Sequence, residues 1–149
     1  HVMLGPHKTR SFFMENFIEF EYTTQILEHH LDCFGHVNNA RYLDLFEEAR
    51  WDFITKNGYG LKEVQQNKKG PIVLDVTCRY KRELVNRETI TIKSRALESK
   101  KKIMRMQQWI YKTDGELASE AEFTFGFMDL KLRKMIEPPV EWLNAVGVK

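Results

Sequence analysis

The stretch Asp32-Cys33-Phe34-Gly35-His36-Val37-Asn38-Asn39-Ala40-Arg41-Tyr42 separates two different periodicities, and that change of period decides the fold. Upstream, Ile18, Phe20, Tyr22, Thr24 and Ile26 alternate with Glu19, Glu21, Thr23 and Gln25, the period of two expected of a half-buried strand. Downstream, Tyr42, Leu45, Phe46, Ala49, Phe53 and Ile54 recur at helical spacing. Ala40 to Lys56 therefore reads as a helix, closed by Asn57-Gly58. Leu43 and Trp51 widen its apolar stripe past half the girth, and such a helix is expected to be largely enclosed.

Beyond a loop through Lys68-Lys69-Gly70-Pro71, four more strand patterns follow. Ile72, Leu74, Val76, Cys78 and Tyr80 alternate with Asp75, Thr77, Arg79 and Lys81. Ile90 and Ile92 alternate with Thr91, Lys93 and Arg95. Ile103 to Tyr111 alternates less regularly, and Leu117, Ser119, Ala121, Phe123, Phe125 and Phe127 form the last pattern. Thr113-Asp114-Gly115-Glu116 supplies a turn in which glycine takes positive φ. Pro138-Pro139 stops regular structure before a short terminal helix over Val140 to Val146. One strand, one enclosed helix, then four strands predicts an α+β domain: a curved antiparallel sheet of about five strands wrapped around one long helix. A sheet that wraps on one side only has an exposed edge and a free face, and pairing of two subunits covers both.

Bulk properties narrow the function. At 149 residues the chain is the size of one domain, with about 1–16 read as an N-terminal extension or cloning remnant. The 42% apolar fraction fills one core, while the 30% charged fraction argues against a membrane protein. No apolar run approaches the roughly 20 residues needed to span a bilayer. A formal charge of +2 gives no footing for nucleic-acid binding. His1 to Phe17 lacks the apolar run and cleavage site of a secretory signal. The two cysteines, Cys33 and Cys78, are too few for a disulfide framework and are expected as free thiols in a reducing cytoplasm.

The loop carries the chemistry. Asp32 lies a few residues before a helix N-terminus, where unpaired backbone N–H groups favour negative charge. A carboxylate beside such donors suits hydrolysis of acyl esters and thioesters, by attack on the carbonyl or by activation of water. The bland alternative is a turn or capping aspartate. Asn38 fits the N-cap, which leaves the N–H groups from Asn39 onward free to hold an oxyanion. Gly35 is expected to take positive φ in a tight turn, and a bare backbone there also admits close approach of a ligand. His36 either holds the shape of the loop or orients Asp32 or a water. His29, His30, Asp32 and His36 do not match a common metal pattern, and a continuing strand sends His29 and His30 to opposite faces, so no metal is expected.

Elsewhere, Glu47 and Glu48 lie on the helix, with Glu48 read as a second carboxylate or as the ion-pair partner of Arg41, Arg50 or a strand residue. Tyr42 packs or lines a pocket. Arg79, Lys81 and Arg82, with Arg87, form either a solvated face or a site for phosphates. Lys100-Lys101-Lys102 reads as an exposed hairpin tip. Met104, Met106 and Trp109 read as core or interface, with the methionines suited to an adaptable pocket.

The element order and the pattern Asp-x-x-Gly-His-Val-Asn-Asn-x-x-Tyr over Asp32 to Tyr42, continued by Glu47-Glu48-Ala49-Arg50, resemble the hotdog-fold acyl-CoA thioesterases of the 4-hydroxybenzoyl-CoA thioesterase-like group. The resemblance covers roughly Phe17 to Leu130, and Arg79-Tyr80-Lys81-Arg82-Glu83-Leu84 looks like that group's second strand. It implies a homodimer, often paired again into a tetramer, with the active site at the dimer interface. It implies an acyl thioester of coenzyme A or acyl carrier protein as substrate, and no metal or bound cofactor. Asp32 maps onto the catalytic carboxylate and the Asn39 backbone N–H onto the oxyanion contact, supported by Gly35 and His36. Tyr42, Glu48, Arg79, Lys81 and Arg82 are the matching candidates for substrate binding. Plant acyl-carrier-protein thioesterases share the His-Val-Asn-Asn run but place an asparagine where this chain has Phe34, which favours the acyl-CoA version over a histidine-centred mechanism. The rival expectations are an acyl-carrier-protein thioesterase, a non-catalytic acyl-CoA binding module and a hydratase of the same fold.

Overall fold

In the computed structural model, which describes residues 17–149, the alternation of the first strand is realised directly. β1 (Glu19–Gln25) turns Phe20, Tyr22 and Thr24 toward the interior and its glutamates outward. The extension expected over about 1–16 lies outside the described residues. After a 3-10 turn (Glu28–His30) and the Asp32 loop, α1 (Arg41–Lys56) buries Tyr42, Leu45, Phe46, Ala49, Arg50, Phe53 and Ile54. It stops at Asn57, and Gly58 follows at φ +95, the left-handed conformation that glycine adopts without penalty.

The sheet is antiparallel throughout. β2 (Lys69–Tyr80), β3 (Thr89–Lys100), β4 (Ile103–Tyr111) and β5 (Leu117–Asp129) join β1 in the order β1-β3-β4-β5-β2, with a two-residue β6 (Lys134–Met135) on β5. α3 (Val140–Ala145) closes the interior with Trp142, whose ring lies 5.1 Å from that of Phe127. This is the curved sheet around one long helix that the periodicities predict. The Thr113 to Glu116 turn also forms as expected, with Gly115 at φ +91.

Three local expectations are corrected. A helix, α2 (Leu61–Asn67), forms where no element was expected; it has one half-buried apolar residue, Val64, and is started by the Glu63 carboxylate accepting the Gly60 N–H at 2.9 Å. Lys69-Gly70-Pro71 belongs to β2 rather than to a loop. Pro71 is tolerated because β2 is an edge strand, where a missing N–H costs no interior bond. Most consequential, the alternation of β2 does not run unbroken. Its register against β5 shifts between Val73 and Asp75, so Val73 opposes Phe125 while Val76 opposes Phe123. Opposed residues of an antiparallel pair share a face. The extra residue at Leu74 therefore puts Pro71 and Val73, not Ile72 and Leu74, on the helix side with Val76, Cys78 and Tyr80.

α1 packs on β1, β3 and α3. It leans away from β2, and helix-facing residues there stay exposed: Val73 at 48%, Val76 at 36% and Tyr80 at 49%. β2 is thus far less buried than its apolar pattern alone predicts.

Phe46 is fully enclosed beneath α1, its ring edge-on to Phe123 at 5.9 Å. Phe46→Ala is expected to lower the unfolding free energy by about 3–5 kcal/mol. Chemical denaturation measures this, and a loss below about 1 kcal/mol contradicts the packing described.

Candidate active site

The Asp32 loop is built by its own polar groups. The Asp32 N–H donates to the His36 carbonyl at 2.8 Å, and the Gly35 N–H donates back to the Asp32 carbonyl at 3.2 Å. Asp32 Oδ1 accepts from the Phe34 N–H at 2.9 Å and from the His36 N–H at 3.3 Å. Gly35 sits at φ +84, as the turn requires, and a Cβ there meets nothing within 4 Å, so the backbone conformation and not crowding selects glycine. Oδ2 of Asp32 accepts from no group among the described residues.

Neighbouring segments fix the loop in place. The Val37 N–H donates to the Leu84 carbonyl at 3.1 Å, His36 bridges to Val85, and His36 Nε2 lies 3.0 Å from a Glu83 carboxylate oxygen. The imidazole of His36 thus points at Glu83, and only its backbone N–H meets the Asp32 carboxylate. His30 is buried, with Nδ1 accepting the Leu27 N–H at 2.9 Å and its carbonyl accepting the Asn38 N–H at 3.0 Å. Burial, then the adjacent His29, lowers its imidazole below the usual value. The rings of His29 and His30 lie 4.1 Å apart rather than on opposite faces, because the chain makes a 3-10 turn there instead of continuing the strand. Among the described residues, no three His, Cys, Asp or Glu side chains converge as metal ligands.

At the helix start, Asn38 Oδ1 accepts the Ala40 N–H at 2.9 Å and the Asn38 carbonyl accepts the Arg41 N–H at 2.8 Å. Asn38 is therefore not the N-cap expected of it: its side chain closes an Asx turn two residues before the cap, which is Ala40, and regular helix begins at Arg41. The Asn39 N–H donates to no acceptor among the described residues. On the other side of the same residue, the Tyr80 hydroxyl of β2 donates to the Asn39 carbonyl at 3.0 Å. The Tyr80 ring meets Tyr42 edge-on at 5.0 Å. Tyr42 is buried, and that burial pushes its phenol up to about 12.

The remaining candidates scatter. Tyr42, Lys81 and Arg82 line one shallow hollow of about 300 Å³ together with Val37, Tyr80 and Glu83, next to the loop. Arg79 is exposed and is not part of it. Arg82 pairs with Glu116 at 2.7 Å and Arg87 with Glu28 at 2.5 Å, so both are held by carboxylates. Among the described residues Glu48 pairs with no arginine: it is exposed and accepts from the Tyr22 hydroxyl of β1 at 2.5 Å, while Arg41 pairs with Asp44 one turn earlier. Burial and this carboxylate raise the Tyr22 phenol to about 12. Lys101 and Lys102 form the exposed β3–β4 tip, and Met104 and Met106 are core.

Arg50, considered in the sequence only as a partner for Glu48, is the residue that pattern reasoning missed. Only 8% exposed, it places its guanidinium over Phe123 at 4.3 Å and Phe125 at 5.2 Å. Nη1 donates to Gln108 Oε1 at 2.9 Å, and Gln108 donates in turn to the Phe46 carbonyl and to Ser94 Oγ. Burial lowers this guanidinium to about 10, so it stays charged at neutral pH. The available signal was a cation placed among helix positions that face the core.

A curled antiparallel sheet around a helix whose start meets a carboxylate-bearing loop defines the hotdog class of fold. The chain belongs to the thioesterase-like superfamily, whose family model matches residues 27–146. It is 33% identical over 109 residues to the long-chain acyl-CoA thioesterase FadM of Escherichia coli (strain K12), covering 72% of this chain and 82% of that protein. The structure of the probable thioesterase YbaW from Escherichia coli is 29% identical with a TM-score of 0.74, over 87% of this chain and 98% of that one. A hypothetical protein from Staphylococcus aureus, SAV2348, solved in complex with CoA, shares the fold at a TM-score of 0.80 and 21% identity, over 87% and 82% of the two chains. Among the described residues, no helix is long and apolar enough to cross a membrane.

Tyr22 and Tyr42 are predicted to ionise near 12 in the folded protein, above the ordinary value near 10. A raised folded value means stability fully present below pH 10 and lost as pH rises from about 10 to 12. A phenolate absorbance titration of the wild type and of Tyr22→Phe checks this. If all the tyrosines ionise together near 10, the environments described are wrong.

Proposed function

We propose that this chain is an acyl-CoA thioesterase, cleaving a thioester with water into a carboxylic acid and the free thiol of coenzyme A. Membership of the thioesterase-like superfamily and the likeness to FadM support the reaction class. The observation that carries the mechanism is the unpaired Asn39 N–H at the start of α1, directly after a loop whose carboxylate keeps one oxygen free. The thioester carbonyl oxygen accepts from that N–H, which stabilises the charge that develops on it; such a donor is worth about 2.7–4 kcal/mol. Asp32 Oδ2 either attacks the carbonyl carbon, expelling the thiolate and forming an anhydride that water then hydrolyses to release the acid and regenerate the carboxylate, or takes a proton from the attacking water and returns it to the leaving sulfur; in the first branch the thiolate takes its proton from that same water. His36, held by Glu83, keeps the loop in shape. Arg79 and Lys81, which form no ion pair among the described residues, supply the positive charge for the phosphates of coenzyme A. No metal or bound cofactor enters this scheme, and the two free thiols suit the cytoplasm.

The reading includes a homodimer. β2 is an edge strand with Val73, Leu74, Val76 and Tyr80 exposed, and an uncovered apolar edge of that length is an association surface. Tyr80 reaches from it to the residue that bears the oxyanion donor, so a second subunit seated there also walls the site. Sedimentation equilibrium is expected to give twice the 17.7 kDa chain mass, and Val76→Lys to give the single mass. A wild-type monomer at micromolar concentration contradicts this part of the reading.

Asp32→Asn keeps an oxygen for the Phe34 and His36 N–H contacts at Oδ1 but removes the nucleophile or base. It is expected to lower kcat at least about 100-fold with circular dichroism and sedimentation unchanged. Because the oxyanion donor is backbone, Asn39→Ala costs less. Thiol release measured on an acyl-CoA panel decides the matter, with acyl-carrier-protein thioesters as the comparison. Retained turnover in Asp32→Asn removes Asp32 from the mechanism.

A further inference from the structure

The thioesterase reading leaves one buried charge without a task. Arg50 carries five N–H donors. One nitrogen, Nη1, donates to Gln108, and the guanidinium forms no ion pair among the described residues. It lines a cavity of about 80 Å³ beneath α1, with Glu47, Trp51, Met104, Phe125 and Trp142 among the other walls. Trp142 also has a buried indole Nε1–H with no acceptor. Only the Trp142 donor is both buried and unpaired among the described residues, so the spare Arg50 N–H groups are open to solvent and lose it when an apolar ligand fills the space without an acceptor. Glu47 is the one carboxylate of this wall, and it stands within the same cavity without bonding Arg50.

The cavity lies on a track from the proposed oxyanion donor. Leu43, Glu47 and Arg50 follow at spacings of four and three residues on one face of α1, and Asn39 stands two residues before the helix begins, so a line along that face leads from the proposed donor toward the cavity. β2 runs beside that face. Tyr80 at one end bonds the Asn39 carbonyl, and Pro71 and Val73, brought inward by the bulge, line the cavity at the other. Between them Val76 and Leu43 stay exposed, at 36% and 37%, because α1 leans away from β2. From Asn39 to Arg50 the helical path is about 16 Å. An extended chain advances about 1.2 Å per bond, so about a dozen bonds separate the two ends.

We infer that this track holds the acyl chain and that Arg50 and Glu47 read a hydroxyl near its far end, so that the preferred substrates are long hydroxyacyl thioesters. A hydroxyl accepts from the Arg50 guanidinium and donates to the Glu47 carboxylate. A plain alkyl end takes water from the Arg50 guanidinium and gives it no acceptor, while the exposed Glu47 keeps its solvent. A terminal carboxylate meets Arg50 but brings a second negative charge against Glu47. Val73, Val76, Leu43 and the two core methionines supply the apolar walls that the rest of the chain needs.

The inference rests on the thioesterase reading, and two measurements keep the two separable. The first compares kcat/KM of the wild-type protein for dodecanoyl-CoA, its ω-hydroxy derivative and its ω-carboxy counterpart. The hydroxy thioester is expected to be favoured about tenfold over the plain one, the factor that a hydrogen bond to a charged group supplies. The preference is expected to vanish in Arg50→Met and to shrink in Glu47→Ala. The second follows quenching of tryptophan fluorescence, to which Trp51 and Trp142 in the cavity wall contribute, by free ω-hydroxydodecanoic and dodecanoic acids. It needs no turnover and no variant. Equal or better use of the plain chain, or a preference that survives in a folded Arg50→Met, overturns the inference while leaving the thioesterase reading intact. A best rate with the ω-carboxy thioester overturns the role given to Glu47 and the choice of a hydroxyl. Tighter binding of the hydroxy acid by a protein that hydrolyses no thioester leaves the inference standing and removes the catalysis.

Discussion

The structure depends on enclosing a helix that is apolar over more than half its surface. Leu45, Phe46 and Ala49 are completely buried, and Tyr42 and Phe53 nearly so. No flat sheet covers such a girth, so the strands must curl, and the register shifts in β2 and β3 are where the curvature is concentrated. α1 settles against β1, β3 and α3. The strand at the far margin cannot also reach it. An edge with uncovered apolar residues and a groove beside the helix are thus direct products of how the core is made, and both proposed activities of the molecule use that margin.

The Asp32 loop shows how one side chain serves a turn and still leaves an oxygen for the proposed chemistry. A carboxylate has two oxygens, and the turn occupies one. Oδ1 satisfies two backbone N–H groups that the reversal at Gly35 would otherwise leave unpaired, and Oδ2 stays available. Asn38 divides its duties in the same way. Its side chain and carbonyl take the Ala40 and Arg41 N–H groups, and the Asn39 N–H is the one left over. The two readings of each residue set against each other in the sequence, structural and chemical, are not exclusive at the level of single atoms.

The architecture was legible because period two and period 3.6 are imposed by burial, and the strands and α1 follow their patterns to within a few residues. The positive φ of Gly35, Gly58 and Gly115 was legible because so few residue types serve there. The phase of β2 was not, since Ile72, Val73 and Leu74 are all apolar and only pairing with β5 shows that Leu74 is the extra residue. α2 was not, because two apolar residues in seven, Leu61 and Val64, leave no periodicity, and only Val64 is half-buried. At the site, the tie between Tyr80 and Asn39 joins residues 41 positions apart, and the pairing of Glu48 with Tyr22 instead of an arginine depends on which way α1 rotates in the sheet. Arg50 was passed over because a cation surrounded by phenylalanines looks like an exception to the stripe, when burial over Phe123 makes it part of the interior.

The Tyr80 hydroxyl ties the main chain of Asn39 to the outermost strand. A bond shared in this way works in both directions, because linkage between two equilibria is reciprocal. Whatever grips the margin of the sheet alters how steadily the neighbouring amide is presented, and whatever occupies that amide must stiffen the margin by the same free energy. In the proposed dimer, ligand binding and self-association would therefore shift one another by equal free energies through a single phenol.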